Sequence, residues 1–143
     1  MADVEKSVLI ERTAAQMFEL VDRVEDYPKF LPWCGGIELH ERTAETTVAT
    51  LHINYHGLKA QFSTANTKII PSRMDIRLRE GPFKQMEGSW RFTPLGDAAC
   101  KIEFRLHYEF SNRVLELALG PVFNIIANTF VESFVKRAQV VYD

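Results

Sequence analysis

Apolar and polar residues alternate from the start of the chain. Val4, Val8 and Ile10 fall on one side of an extended segment, with Asp3, Glu5 and Ser7 on the other. This period of two predicts a strand over residues 3–10. The spacing then changes: Thr13 is suited to cap a helix, Gln16 follows three residues later as in a capping box, and Met17, Phe18, Leu20, Val21 and Val24 recur at helical intervals. A short helix is predicted over 14–24. Pro28 and Pro32 interrupt residues 26–33, leaving room for one helical turn at most.

Between residues 37 and 110 the two-residue period returns strand after strand. Ala49, Leu51, Ile53 and Tyr55 oppose Val48, Thr50, His52 and Asn54, and Leu58, Ala60 and Phe62 open the next strand. Met74, Ile76 and Leu78 alternate with Asp75, Arg77 and Arg79; Met86, Gly88, Trp90 and Phe92 with Glu87, Ser89, Arg91 and Thr93. Cys100, Ile102, Phe104, Leu106, Tyr108 and Phe110 alternate with Lys101, Glu103, Arg105, His107 and Glu109. Turn residues separate these runs at His56-Gly57, Pro71-Ser72, Gly81-Pro82 and 94–97. With no helix between them the strands must pair antiparallel, one face wet and one face dry.

The last segment, residues 111–142, is predicted to cover the dry face. Ser111 or Asn112 caps it. Leu115, Leu119, Val122, Ile126, Phe130 and Phe134 form one stripe, and Phe123, Ala127, Val131, Val135 and Ala138 a second beside it. About 30 residues make roughly 45 Å of helix, more than the roughly 27 Å of an eight-residue strand. Gly120-Pro121 is expected to kink or interrupt it. The order is β-α-α-β6-α, an α+β helix-grip architecture: a curved antiparallel sheet of about seven strands gripping one long C-terminal helix, in a single domain over 1–143. A curved sheet does not close on one helix everywhere, and the gap predicts an apolar pocket.

Composition sharpens this picture at one point. Ten Phe in 143 residues imply an aromatic-walled interior, whether a filled core or a cavity. The net charge of −2 argues against a dedicated nucleic-acid binder and against DNA as a partner. Cys34 and Cys100 have no CxxC spacing and read as reduced thiols. The N-terminus shows no apolar signal-peptide core, and no window approaches 18 apolar residues. The expectation is a cytoplasmic, soluble protein without a membrane span; peripheral membrane contact stays open, and the pattern specifies no oligomeric state.

Candidate chemistry is sparse. His52 and His56, four strand residues apart, are separated by roughly 13 Å, too far to share a metal whose nitrogen ligands sit about 2 Å away. His107 points to the wet face, and His40 stands alone. No orienting His accompanies either thiol, and no Gly-rich phosphate loop is present. The expectation is no catalytic residue, no metal and no required cofactor.

The segments Tyr27-Pro28-Lys29-Phe30-Leu31-Pro32-Trp33-Cys34, Gly81-Pro82-Phe83-Lys84, Trp90-Arg91-Phe92 and Phe134-Val135-Lys136-Arg137-Ala138 resemble the coenzyme Q-binding, START-like domains. The bacterial branch is the ribosome association toxin (RatA) group, also labelled oligoketide cyclase or lipid transport. The resemblance spans essentially the whole chain. It implies a helix-grip fold, and the first expectation is binding of a polyisoprenoid quinone such as ubiquinone, or a related lipid, between sheet and helix in support of respiration, with ribosome association as the alternative. For the RatA branch it also implies association with the large ribosomal subunit, hindering subunit joining. An aromatase/cyclase is a third, weaker expectation.

Site candidates follow from the faces. For the pocket they are Phe62, Leu78, Trp90, Phe92, Phe104, Leu106, Tyr108 and Phe110 on the sheet, and Phe123, Ile126, Phe130 and Phe134 on the helix. Tyr27, Phe30, Trp33, Phe83 and Lys84 either form a pocket rim that touches a head group or plug the open end of the sheet. On the wet face Arg77, Arg91, Lys101 and Arg105 are candidates for ribosome contact, where affinity falls with salt; a solvated surface is the alternative.

Overall fold

The computed structural model describes residues 2–142. Positions 1 and 143, included in the expected domain, lie outside the described residues. The first alternating stretch forms β1 (Ala2–Ile10) and Thr13 caps α1 (Ala14–Asp22). The Gln16 N–H donates to Thr13 Oγ1 at 3.1 Å, and the Thr13 N–H donates to the Gln16 side chain at 2.9 Å. This reciprocal box satisfies two of the donors that a helix start leaves orphaned.

The helix ends two residues before its predicted limit, and a 3₁₀ segment, Val24–Lys29, continues the chain. Within residues 26–33 only 26–29 belong to it, in keeping with the single turn the prolines allow. Pro28 sits near the segment's end and removes only one N–H, while Asp26 and Phe30 still donate to the Arg23 and Tyr27 carbonyls at 3.0 and 3.2 Å.

The six later strands are β2 (Cys34–Arg42), β3 (Thr46–Tyr55), β4 (Leu58–Ile69), β5 (Arg73–Glu80), β6 (Phe83–Leu95) and β7 (Ala99–Phe110). All pairs are antiparallel and the sheet order is β1-β7-β6-β5-β4-β3-β2. The N-terminal strand therefore returns to the far edge, pairing Ala2 with Tyr108 and Ile10 with Cys100. Pro94 was expected in a turn and is instead a strand residue opposite Cys100. β5 pairs with β6 only as far as Arg91, so Pro94 lies where β6 has a free side and its missing N–H costs no ladder bond.

Asn112 caps α2 (Arg113–Val141), accepting from the Leu115 N–H at 2.9 Å. The interruption expected at Gly120-Pro121 does not occur, and one helix runs through it. Pro121 deprives the Leu117 carbonyl of its helical donor, but Leu117 is 65% exposed, so water reaches that turn. The buried residues of α2 are Phe123, Ile126, Ala127, Val131, Phe134 and Ala138. No α2 residue before Phe123 is fully buried; Leu115 and Leu119 are half-buried, and Leu119 and Val122 face Ile53, Leu58 and Phe110 across a small apolar gap.

This helix also corrects the expectation of no membrane-length apolar stretch. An 18-residue window within it has a mean hydropathy of 1.6 and is 22% buried, enough by length and composition to cross a membrane. Its buried stripe is committed to the sheet. One apolar cluster links all the elements, with Trp90, Phe92, Phe104, Phe134 and Met17 among its largest fully buried side chains.

Candidate functional site

Between the concave face and α2 lies an apolar cavity of about 70 Å³. Its floor is Leu51 of β3, Phe62, Thr64 and Asn66 of β4, Met74 and Ile76 of β5, Met86 and Trp90 of β6, and Phe104 and Leu106 of β7. Phe123, Ile126, Ala127 and Phe130 of α2 roof it, and Val24, Tyr27 and Trp33 close one side. An apolar cavity of about 150 Å³ admits benzene, so this void is roughly half of ring size. Phe130 meets Trp90 and Phe104 at 5.7 Å each and Phe134 at 5.0 Å between ring centres. Edge and tilted contacts of this kind fill most of the gap that the curvature opens.

Of the candidates for the pocket wall, Phe62, Trp90, Phe104, Leu106, Phe123, Ile126 and Phe130 meet around this void. The others do not. Phe92 packs on Phe18 of α1 at 5.6 Å, and Phe134 is wholly buried between Tyr27 and Trp90 at 5.3 and 5.5 Å. Tyr108 stacks on Phe123 at 4.6 Å, in a second aromatic group with Phe83 and Phe110. Leu78 is half-buried outside the lining. Each has the inward parity of its strand or stripe, but parity says nothing of position along the grip.

The rim is corrected in the same way. Tyr27 and Trp33 are buried wall residues, and the Tyr27 hydroxyl donates to the Val21 carbonyl at 2.5 Å. Burial raises that hydroxyl's pKa well above its ordinary value. Phe30 packs against Phe134 at 5.2 Å beneath the Arg137 guanidinium, Phe83 is buried, and Lys84 is exposed. The 27–33 segment plugs the end of the sheet. Cys34 and Cys100 are buried as well, and burial raises both thiols.

Polar residues on the concave face of β4 have no counterpart among the sequence expectations. Thr64, Asn66 and Lys68 continue the parity of Phe62 and are all buried. Lys68 Nζ pairs with Asp22 Oδ2 at 3.0 Å, and Thr47 Oγ1 donates to Asp22 Oδ1 at 2.6 Å. Arg42 donates to both Glu25 oxygens at 2.8 and 2.6 Å and to the Asp22 carbonyl at 2.7 Å. The Arg42 hydrogen bond holds the Glu25 carboxyl below its ordinary value against partial burial. This network ties the end of α1 to strands β2–β4. Asn66 is different: its Nδ2 faces Met74 Sδ at 3.6 Å, and its Oδ1 is buried without a partner. The signal was in the chain, since the even positions from Leu58 lead directly to these three.

On the convex face the ribosome candidates share one surface but not an excess of charge. Arg77 stands opposite Glu87 and Arg91 opposite Glu103; Arg105 pairs with Glu5 at 3.4 Å. Lys101 lies opposite Leu9 and Thr93. His107 is bound to Asp3 at 2.6 Å and His52 to Glu38 at 2.8 Å.

Residues 10–135 match the family described as polyketide cyclase / dehydrase and lipid transport. The chain belongs to that family. Within this polyketide cyclase and lipid transport family it is 41% identical, over 99% of both chains, to the ribosome association toxin RatA of Vibrio cholerae serotype O1. It is 23% identical to a mitochondrial coenzyme Q-binding protein of Drosophila melanogaster, over 94% of this chain and 57% of that one. Among solved structures, the Zhui aromatase/cyclase of a Streptomyces species superposes with a TM-score of 0.79 at 17% identity, covering 96% of this chain and 93% of its own. That likeness is one of fold alone.

Proposed function

We propose that this protein acts by associating with the ribosome, through the large subunit, in a way that hinders subunit joining. The observation that carries the reading is the 41% identity to a ribosome association toxin across the full length of both chains. The cavity supports it indirectly. At about 70 Å³ it leaves the interior nearly filled, so activity falls to the outer surface. The convex face supplies Arg77, Arg91 and Lys101, its acids interleaved among them, as contact residues. The test is sedimentation of purified protein with purified subunits through a sucrose cushion. Co-pelleting with the large subunit, lost in an Arg77→Glu/Arg91→Glu double variant of unchanged melting temperature, is the expected result. Absence from both subunits at low salt would remove the reading; undiminished pelleting of the variant would move the contact to another face.

The apolar lining of the cavity favours a second reading, that of a hydrophobic small molecule, in its fullest form a polyisoprenoid quinone. The mitochondrial relative's name lends it distant support. Each buried methylene contributes about 0.8 kcal/mol, but a quinone ring enters only if walls such as Phe130 turn outward. Mass spectrometry of organic extracts from purified protein tests it, and repeated recovery of empty protein would end the quinone form.

A further inference from the structure

A buried polar group without a partner costs stability, and native chains keep few of them. Asn66 is one. It is 91% buried by its 9% exposure, it lines the cavity, and its Oδ1 has no hydrogen-bond partner. Its orientation is determined by chemistry: the thioether sulfur of Met74 only accepts, so the amide nitrogen must face it, at 3.6 Å. The amide oxygen is left as the unclaimed acceptor in an otherwise apolar space. Nearby polar atoms do not relieve it. The one proton of the Tyr27 hydroxyl goes to the Val21 carbonyl, and the Lys68 ammonium turns to Asp22 and makes no hydrogen bond to Asn66. Thr64, two residues away on the same strand face, is the other short polar side chain in the lining.

We infer that Asn66 is the recognition residue for a ring-sized, otherwise apolar molecule carrying one hydroxyl donor, of the phenol type. The inference rests on the hydrophobic-ligand reading above and adds its polarity. An acceptor lone pair in an apolar wall selects a donor, so the hydroxylated form is held and a form offering only carbonyl or ether oxygens is not. Half-buried Phe130 in the roof is the wall element that yields to admit the ring. A resident water, which needs two to four polar partners and finds Asn66 and Thr64 in the lining, is the competing occupant that the ring must displace.

The probes are phenol, fluorobenzene (nearly the same shape, without the donor) and benzene. Each is titrated into the full chain with binding read by calorimetry and by thermal shift. The expected result is that phenol binds about tenfold tighter than fluorobenzene, the scale of one good buried hydrogen bond. Asn66→Leu is expected to melt higher without ligand and to lose that preference, and Asn66→Val serves if the leucine does not fold. Equal affinities of phenol and fluorobenzene for the unaltered protein overturn the role of Asn66 and leave the ligand reading standing. A phenol preference that survives in Asn66→Leu also overturns it. Binding of none of the three aromatics removes the ligand reading itself, and this inference with it.

Discussion

Burial decides the chemistry of single residues here. Cys34 and Cys100 lie inside, and burial raises both thiols above their ordinary value, so little thiolate exists at neutral pH. Labelling with an aromatic disulfide reagent at pH 7.5 should be slow for both thiols and should become complete only on unfolding; fast labelling of either one in the folded protein would contradict its placement. Gly81 shows the same tightness in the backbone. It sits at φ +153°, and a Cβ there would stand 2.7 Å from the Cβ of Phe62, a cavity wall residue. Gly81→Ala should therefore destabilise by about 1–3 kcal/mol, read as a lower urea midpoint with an unchanged slope.

At the scale of elements, Asp22 is the fastening between α1 and the sheet. Removing one partner of a buried ion pair costs about 3–5 kcal/mol because the other is left uncompensated. Asp22→Ala strands the Lys68 ammonium, whose side chain is 1% exposed. Lys68→Met leaves Asp22 with Thr47 and with Arg42, whose Nε lies 3.7 Å away. Urea unfolding should rank Asp22→Ala well below Lys68→Met, and the reverse order would show that the pair is not organised around the carboxylate. Glu25 extends the fastening into acid. Its folded pKa is depressed by Arg42, so its contribution is present above the ordinary carboxylate range and drains away as pH falls through the folded value. Arg42→Gln should flatten that acid limb of the stability curve.

These elements were unevenly legible in the chain. Period-two alternation located six of the seven strands, and Thr13 with Gln16 located the first helix, because both signals are local; β2 is exposed along most of its length and carries no such alternation. The position of a residue along the grip is not local, which is why Phe92, Phe134 and Tyr108 carry the parity of the cavity wall yet pack elsewhere. Thr64, Asn66 and Lys68 were missed because a search for apolar residues stops at Phe62, whereas the strand's geometry continues. Tyr27 and Trp33 were legible as aromatic and stiff, but only the fold shows that the turn carrying them points inward.

For the whole molecule, charge balance sets how a ribosome contact behaves in solution. Arg77 faces Glu87, and Arg91 lies between Glu103 on one side and Arg73 on the other, so acids are interleaved with the bases of the convex face. If Arg77, Arg91 and Lys101 make the phosphate contacts, three cations release counterions, and the affinity should fall with a logarithmic salt slope of about 2–3. Titration of subunit binding between low and physiological salt measures it, and a slope several times steeper would require a different surface. A further consequence lies in the pairing of Ala2 with Tyr108. The strand synthesised first waits for a partner made more than a hundred residues later, roughly 5–20 s at ordinary translation rates. Throughout that interval β1 has no strand to pair with, and the wall residues Phe104 and Leu106 arrive on that same late partner.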